Sequence, residues 1–221
     1  MRKLKTILLF GLVLLLNSCI IKSIKPFYLK EHVKFNKDLI GNWTTGKSSS
    51  WQIMSFKEVW EEDNKDEDGN VKLMKEDKDA YELYKDAYIV NYISSEKEAL
   101  FIAMPFMVDE HLFLDFTPFE YEDSSINGLA AQHLLKTHSV TYVDFKDDGT
   151  LKFKWLDESV VKKLISEKKL RIKHEETGID QDLILTASSE ELYRFLKKFM
   201  ASDIENKWDK DVIKTLTPSD V

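Results

Sequence analysis

The chain has 221 residues, a net charge of −7, 43% hydrophobic and 12% aromatic residues, seven glycines and one cysteine. The apolar share supports a real core rather than a disordered stalk, and the acidic balance disfavours nucleic acid, whose affinity comes mostly from phosphate neutralisation. With one cysteine there is no disulfide framework, and the chain shows no Gly-x-Ser-x-Gly elbow, P-loop or dinucleotide glycine pattern.

The N-terminus reads in order as a basic stretch (Arg2, Lys3, Lys5), an apolar run from Ile7 to Leu16, and Leu16-Asn17-Ser18-Cys19. That order predicts a signal peptide over 1–18. Ten apolar residues are too few for a transmembrane helix, which needs about twenty. Removing 1–18 takes away three basic residues and no acid, leaving 203 residues with a net charge of −10. That length suits one large domain.

Residues 20–36 are mixed, with Lys22, Lys25, Pro26, Lys30 and Lys34 and no lasting period. We expect a tether over 19–37, reaching about 55 Å if extended. The folded domain is expected over 38–200. Ser50–Trp60 alternates with apolar groups on both parities, as in a strand buried in part on each side. Val71–Leu73 and Ala80–Tyr84 are weaker strand candidates. Tyr88–Ser94, Ala99–Val108 and His111–Phe116 are rich in Val, Ile, Phe and Tyr and are separated by short polar breaks, which predicts an antiparallel meander. Pro105 predicts an edge or bulge in the middle strand.

From Phe119 to Thr137 the strand pattern breaks, with a turn signal at Asn127-Gly128 and a short helix expected through Leu134 and Leu135. Ser139–Phe145 and Thr150–Trp155 flank Lys146-Asp147-Asp148-Gly149, a hairpin signal. In the second strand Leu151, Phe153 and Trp155 alternate with Lys152 and Lys154, one face dry and one wet. Asp157 is placed to cap a helix running to about Lys168. A last strand, Asp182–Ala187, leads to Ser188-Ser189-Glu190-Glu191, a capping box. Leu192, Phe195, Leu196 and Phe199 follow at helical spacing. The tail, 201–221, either docks as a short helix or frays. Consecutive strands followed by late helices predict a mainly β fold: an antiparallel barrel or a strongly curved meander sheet with two or three late helices packed on it.

Leu16, Asn17, Ser18 and Cys19 resemble the lipobox of bacterial lipoproteins. The resemblance implies diacylglycerol on the Cys19 sulfur, cleavage before Cys19 and a third acyl chain, such as palmitate, on the new amino group. Two or three chains anchor stably where one does not. It also leaves the mature chain without a free thiol. Ile20 rather than Asp after the cysteine favours the outer membrane over the inner one, by resemblance to envelope sorting in enteric bacteria.

Gly41-Asn42-Trp43 resembles the Gly-x-Trp of lipocalin-like barrels, which implies that Trp43 closes the bottom of the barrel; an ordinary core aromatic is the competing reading. The Trp-containing opening, His111 to Asp115 and Leu185 to Leu192 also resemble stretches of uncharacterised exported bacterial proteins. A lipocalin-like barrel with a cavity would take a small apolar ligand, lined from Phe101, Met104, Phe106, Phe113 and Trp155. A filled barrel would instead serve an envelope protein partner.

Asn64, Asp66 and Asp68, with Gly69, fit the early positions of a calcium loop, but Lys75 stands where a bidentate Glu is required and no flanking helices are foreseen. An acidic β-turn is the better reading. The histidines (32, 111, 133, 138 and 174) form no recognised ligand pair, and His133 and His138 do not share a helical face. His111 and Asp115 fall on one side of a strand, as for an oriented imidazole or a rim salt bridge. No metal, cofactor or enzymatic activity is expected.

Overall fold

The structure is a computed structural model that describes residues 20–46, 49–72, 75, 77–120, 134–204, 207–208 and 213–219. Its strands are β1 (Lys22–Ser23), β2 (Gly41–Thr45), β3 (Ser49–Ser55), β4 (Tyr88–Ser94), β5 (Lys97–Val108), β6 (His111–Glu120), β7 (Ser139–Phe145), β8 (Leu151–Trp155), β9 (His174–Thr177), β10 (Asp182–Leu185) and β11 (Ile213–Pro218). Its helices are α1 (Phe56–Asp63), α2 (Lys78–Tyr84), α3 (Glu158–Ser166) and α4 (Ser189–Ala201).

Eight strands close into an antiparallel barrel in the order β11-β2-β3-β4-β5-β6-β7-β8. The expected mainly β architecture with helices packed on it is therefore present, as a closed antiparallel barrel rather than an open sheet. Closure leaves no edge for another chain to pair with. The meander follows from the short breaks between strands. Ser95 and Glu96 both take positive φ (51° and 65°) to turn β4 into β5, and Gly149 at φ 80° turns β7 into β8.

The closing strand corrects the expectation for the tail. Residues 201–221 were expected to dock as a helix or fray, yet Ile213–Pro218 pairs with β8 on one side and β2 on the other. Its signal is weak because only Leu216 of its six residues is buried.

The expected tether is corrected as well. Within 19–37, Cys19 lies outside the described residues, but 20–37 belong to the domain. Ile20 bridges Asp157, Ile21 N–H donates to Leu156 O at 3.0 Å, and Ser23 and His138 exchange two backbone hydrogen bonds. β1 then pairs in parallel with β10, which pairs with β9, making a three-stranded sheet outside the barrel. Val33 bridges Phe106 where β5 runs on past the start of β4. The lysines that made this stretch read as a linker keep their charges at the surface, while Ile21 and Phe27 go fully inside.

Other local expectations divide. The strand expected over Ser50–Trp60 stops at Ser55, whose hydroxyl accepts the Glu58 N–H and caps α1. Ala80–Tyr84 is helical, as part of α2. Leu134 and Leu135 lie in irregular chain, not a helix, and both are exposed; the Asn127-Gly128 turn lies outside the described residues. α3 and α4 form as expected, with the Asp157 cap and the complete Ser188–Glu191 capping box.

Two main cores result. One fills the barrel. The other, which includes Phe106, Phe113, Val140, Val161 and Leu196, lies between the barrel wall and an outer layer of α3, α4, the small sheet and the N-terminal segment. A smaller cluster joins Phe56 and Ala87 to Ile102 and Met104. β5 therefore contributes both of its faces to cores, which is why both of its parities are apolar.

Candidate functional site

Alternation along each barrel strand decides what faces the interior. Trp51, Tyr88, Val90, Leu114, Phe116, Val143, Leu151, Phe153 and Trp155 point in. Trp51 meets Tyr92 at 4.3 Å between ring centroids, Phe153 at 5.8 Å and Trp155 at 6.1 Å, and Phe116 meets Trp155 at 5.7 Å and Phe101 at 5.8 Å. These are contact distances for aromatic pairs. Leu39, Tyr88, Val90, Ala103, Leu114, Phe153 and Leu216 are each 0% exposed. A side chain lining a void large enough for water would keep accessible surface, so around these residues the interior is filled by protein.

Trp43 sits at the end of the barrel where β2 begins. Its indole N–H donates to Leu39 O at 3.0 Å, and Leu39, at the end of the 3-10 turn Lys37–Leu39, packs in the same interior cluster. Tyr88 adds to this end: its hydroxyl donates to Asn36 O and accepts the Asn36 N–H.

The five residues named as lining one cavity do not come together. Phe101 and Trp155 belong to the interior. Phe106 and Phe113 lie on the outer face under α4 and the N-terminal segment, and Met104 lies outside beside Phe56. The continuous apolar run of β5 hides which parity faces in; β6, with polar Asp115 and Thr117 on one parity, and β8, with Lys152 and Lys154, carried the hints.

Asp115 is the most buried carboxylate among the described residues, 1% exposed, and it points outward from the barrel wall beneath residues 23–27. Its Oδ1 lies 2.6 Å from His138 Nδ1 and its Oδ2 accepts the Phe27 N–H at 2.7 Å. Thr117 Oγ1 is 2.9 Å from the same Nδ1. Burial raises the Asp115 pKa above its ordinary value, against the opposing hydrogen bond and charge of His138 and the Phe27 N–H. The expected partner, His111, is elsewhere: its Nε2 lies 3.6 Å from Glu110, and its ring stands edge-on to Tyr142 at 5.5 Å. Both being on the outer parity did not bring them together, because four residues along a strand separate them by about 13 Å. His138 went unnoticed because it reaches Asp115 across strands, between β6 and the start of β7.

This group ties three chain segments together. The acid and the hydroxyl share one ring nitrogen, so the relay that needs a base and an orienting acid on opposite nitrogens is not formed. Of the other histidines, His32 stacks on Tyr193 at 4.4 Å and His174 Nδ1 lies 2.8 Å from Ile172 O; His133 lies outside the described residues. Among the described residues no group of three or more His, Cys, Asp or Glu could hold a metal ion. In the acidic loop Asp66 Oδ1 accepts the N–H groups of Asp68 and Asn70, and its Oδ2 pairs with Lys72 at 2.9 Å. Helices α1 and α2 do flank this loop, contrary to expectation, but Asp66 is occupied in closing its own turn.

Of several grooves on the described surface, two combine an apolar floor with a rim rich in one sign of charge. One, of about 400 Å³, runs between α1 and β3 and is lined by Ile40, Met54 and Val59, with Glu58, Glu62 and Asp63 at its rim. The other, of about 550 Å³, brings Lys168, Lys169, Arg171, Arg194 and Lys198 around Leu170, Ile172 and Phe195.

These features define a closed, eight-stranded antiparallel barrel with helices and a small sheet packed on its wall. No protein-family model, curated protein or solved structure matches the chain.

Proposed function

We propose that this chain is an outer-membrane lipoprotein of the cell envelope, held by acyl chains on Cys19, whose filled barrel serves as a rigid protein-interaction module rather than as a carrier or an enzyme. The observation that carries this reading is the interior, where side chains at 0% exposure and aromatic rings in contact occupy the space a ligand would need. Small-molecule sites are concave and roomy, commonly 300 Å³ or more. The closed site at Asp115 supports the non-enzymatic part of the reading.

The groove between α1 and β3 is the surface best suited to a partner. Its apolar lining by Ile40, Met54 and Val59 within an acidic rim suits an amphipathic, basic segment of another envelope protein. Native mass spectrometry of the protein taken gently from its own envelope tests the proposal. The expected result is a stoichiometric protein companion that is lost in Val59→Asp and in the pair Glu58→Lys, Glu62→Lys. A co-purified small molecule, with no companion, would return the barrel to carriage.

A further inference from the structure

The connections between barrel strands open at two ends, and the ends differ in charge. At the Trp43 end, Ser55 pairs with Tyr88, so the excursion 56–87 leaves and returns there. The described residues of 56–86 hold eleven acids against six basic residues. The β5–β6 turn at the same end adds Asp109 and Glu110, and the β7–β8 turn adds Asp147 and Asp148. At the opposite end lie the turns at Gly46 and Ser95-Glu96 and the exit from β8 at Leu156-Asp157, whose described surroundings carry fewer acids: Glu96, Glu98 and Asp157, offset in part by Lys97 and Lys136.

The chain enters the domain at this second end. Ile20 bridges Asp157 and packs against the barrel interior cluster, and Ile21 N–H holds Leu156 O. From there the segment is tied down at Ser23, Ile24 and Phe27. The irregular stretch before β7 carries Leu134 and Leu135, 45% and 60% exposed, toward the same end.

We propose that the Ile20 end of the barrel rests directly on the bilayer, with the lipid headgroup layer as the partner of this surface and the acidic end turned to water. This rests on lipidation of Cys19. Cys19 and Ile20 are joined by one peptide bond, about 3.8 Å between Cα atoms, so little slack separates acyl chains from the barrel mouth. The two ends are about 20 Å apart along the seven-residue β3. That exceeds a Debye length of about 8 Å, so the acids at the far end escape repulsion from an anionic bilayer. The reverse orientation would press them against it. The groove between α1 and β3 opens near the acidic end, where a water-borne partner reaches it.

The test uses the full, lipidated chain in vesicles of phosphatidylethanolamine and phosphatidylglycerol that contain a headgroup-spin-labelled lipid. Cys19 is the only native cysteine, so Lys97→Cys and Asp147→Cys, both at exposed positions, each accept one fluorophore. We expect the label at 97 to lose most of its fluorescence to the spin label and the label at 147 to keep it. Equal quenching, or stronger quenching at 147, with acylated Cys19 confirmed by mass spectrometry, would overturn the orientation alone. An unmodified Cys19 on a protein that stays in solution would overturn both the orientation and the lipoprotein reading.

Discussion

Phe27 and Asp115 lie 88 residues apart, and the backbone N–H of Phe27 donates to Asp115 Oδ2 at 2.7 Å. His138 completes the joint from the other side of the carboxylate. One buried acid thereby fastens the first segment of the domain to the barrel wall and to the chain that leads into β7. Replacing Asp115 with Ala leaves the Phe27 donor buried without an acceptor, a loss of about 1–3 kcal/mol from that group alone. Asp115→Asn keeps an acceptor for Phe27 and offers an amide donor to His138, so its loss is expected to be much smaller. Thermal unfolding of the two variants checks this: equal losses would mean that the Phe27 contact contributes nothing.

The same carboxyl has a pH signature. Burial raises its folded pKa above the ordinary carboxylate value. A carboxyl raised on folding contributes stability that is full below its unfolded pKa and is lost as pH rises through the folded one. Relative to Asp115→Asn, the wild type is therefore expected to gain stability as pH falls from neutrality toward about 4. Denaturant midpoints measured in parallel across that range read the difference directly. A flat difference would show that His138 and the Phe27 N–H fully offset burial.

Phe153 is 0% exposed and stands edge-on to both Trp51 and Trp155 at 5.8 Å. Phe153→Ala should cost about 3–5 kcal/mol and leave an apolar hole. Such a hole stays dry and takes a benzene-sized ligand. Benzene is expected to raise the melting temperature of the variant and leave that of the wild type unchanged. A wild type that responds equally would reveal interior space and count against a filled barrel.

β11 closes the barrel through a single buried side chain, Leu216. Leu216→Ala should cost about 2–5 kcal/mol. Ending the chain after Trp208 should be worse, because β2 and β8 are then left as open edges. Hydrogen exchange should show loss of protection in β2 and β8 first. Retained protection in both strands would mean that the barrel does not depend on its last strand.

Where a signal resided in neighbouring residues, the sequence was sufficient. The capping box at Ser188 and Glu191, the stripe Leu192, Phe195, Leu196 and Phe199, and the hairpin at Gly149 each involve partners a few residues apart, and each is present. The β4–β6 meander was legible for the same reason. β11 was missed because Ile213–Pro218 has the pattern of an edge while its partners lie far away in the chain. The N-terminal segment was missed because its lysines suggested a linker, whereas its anchoring uses backbone groups that every sequence possesses.

The sequence alone determined the β4–β6 meander, the β7–β8 hairpin and the late helices, because periodicity, turn chemistry and capping act over a few residues. Tertiary structure decided the rest. It separated Phe101 and Trp155 from Phe106, Phe113 and Met104, because a strand buried on both faces has no wet side to betray its orientation. It gave Asp115 to His138 rather than His111, because reach across strands depends on register. It set the acids of 56–86 at the end of the barrel opposite Ile20, because a closed antiparallel barrel sends alternate connections to opposite ends.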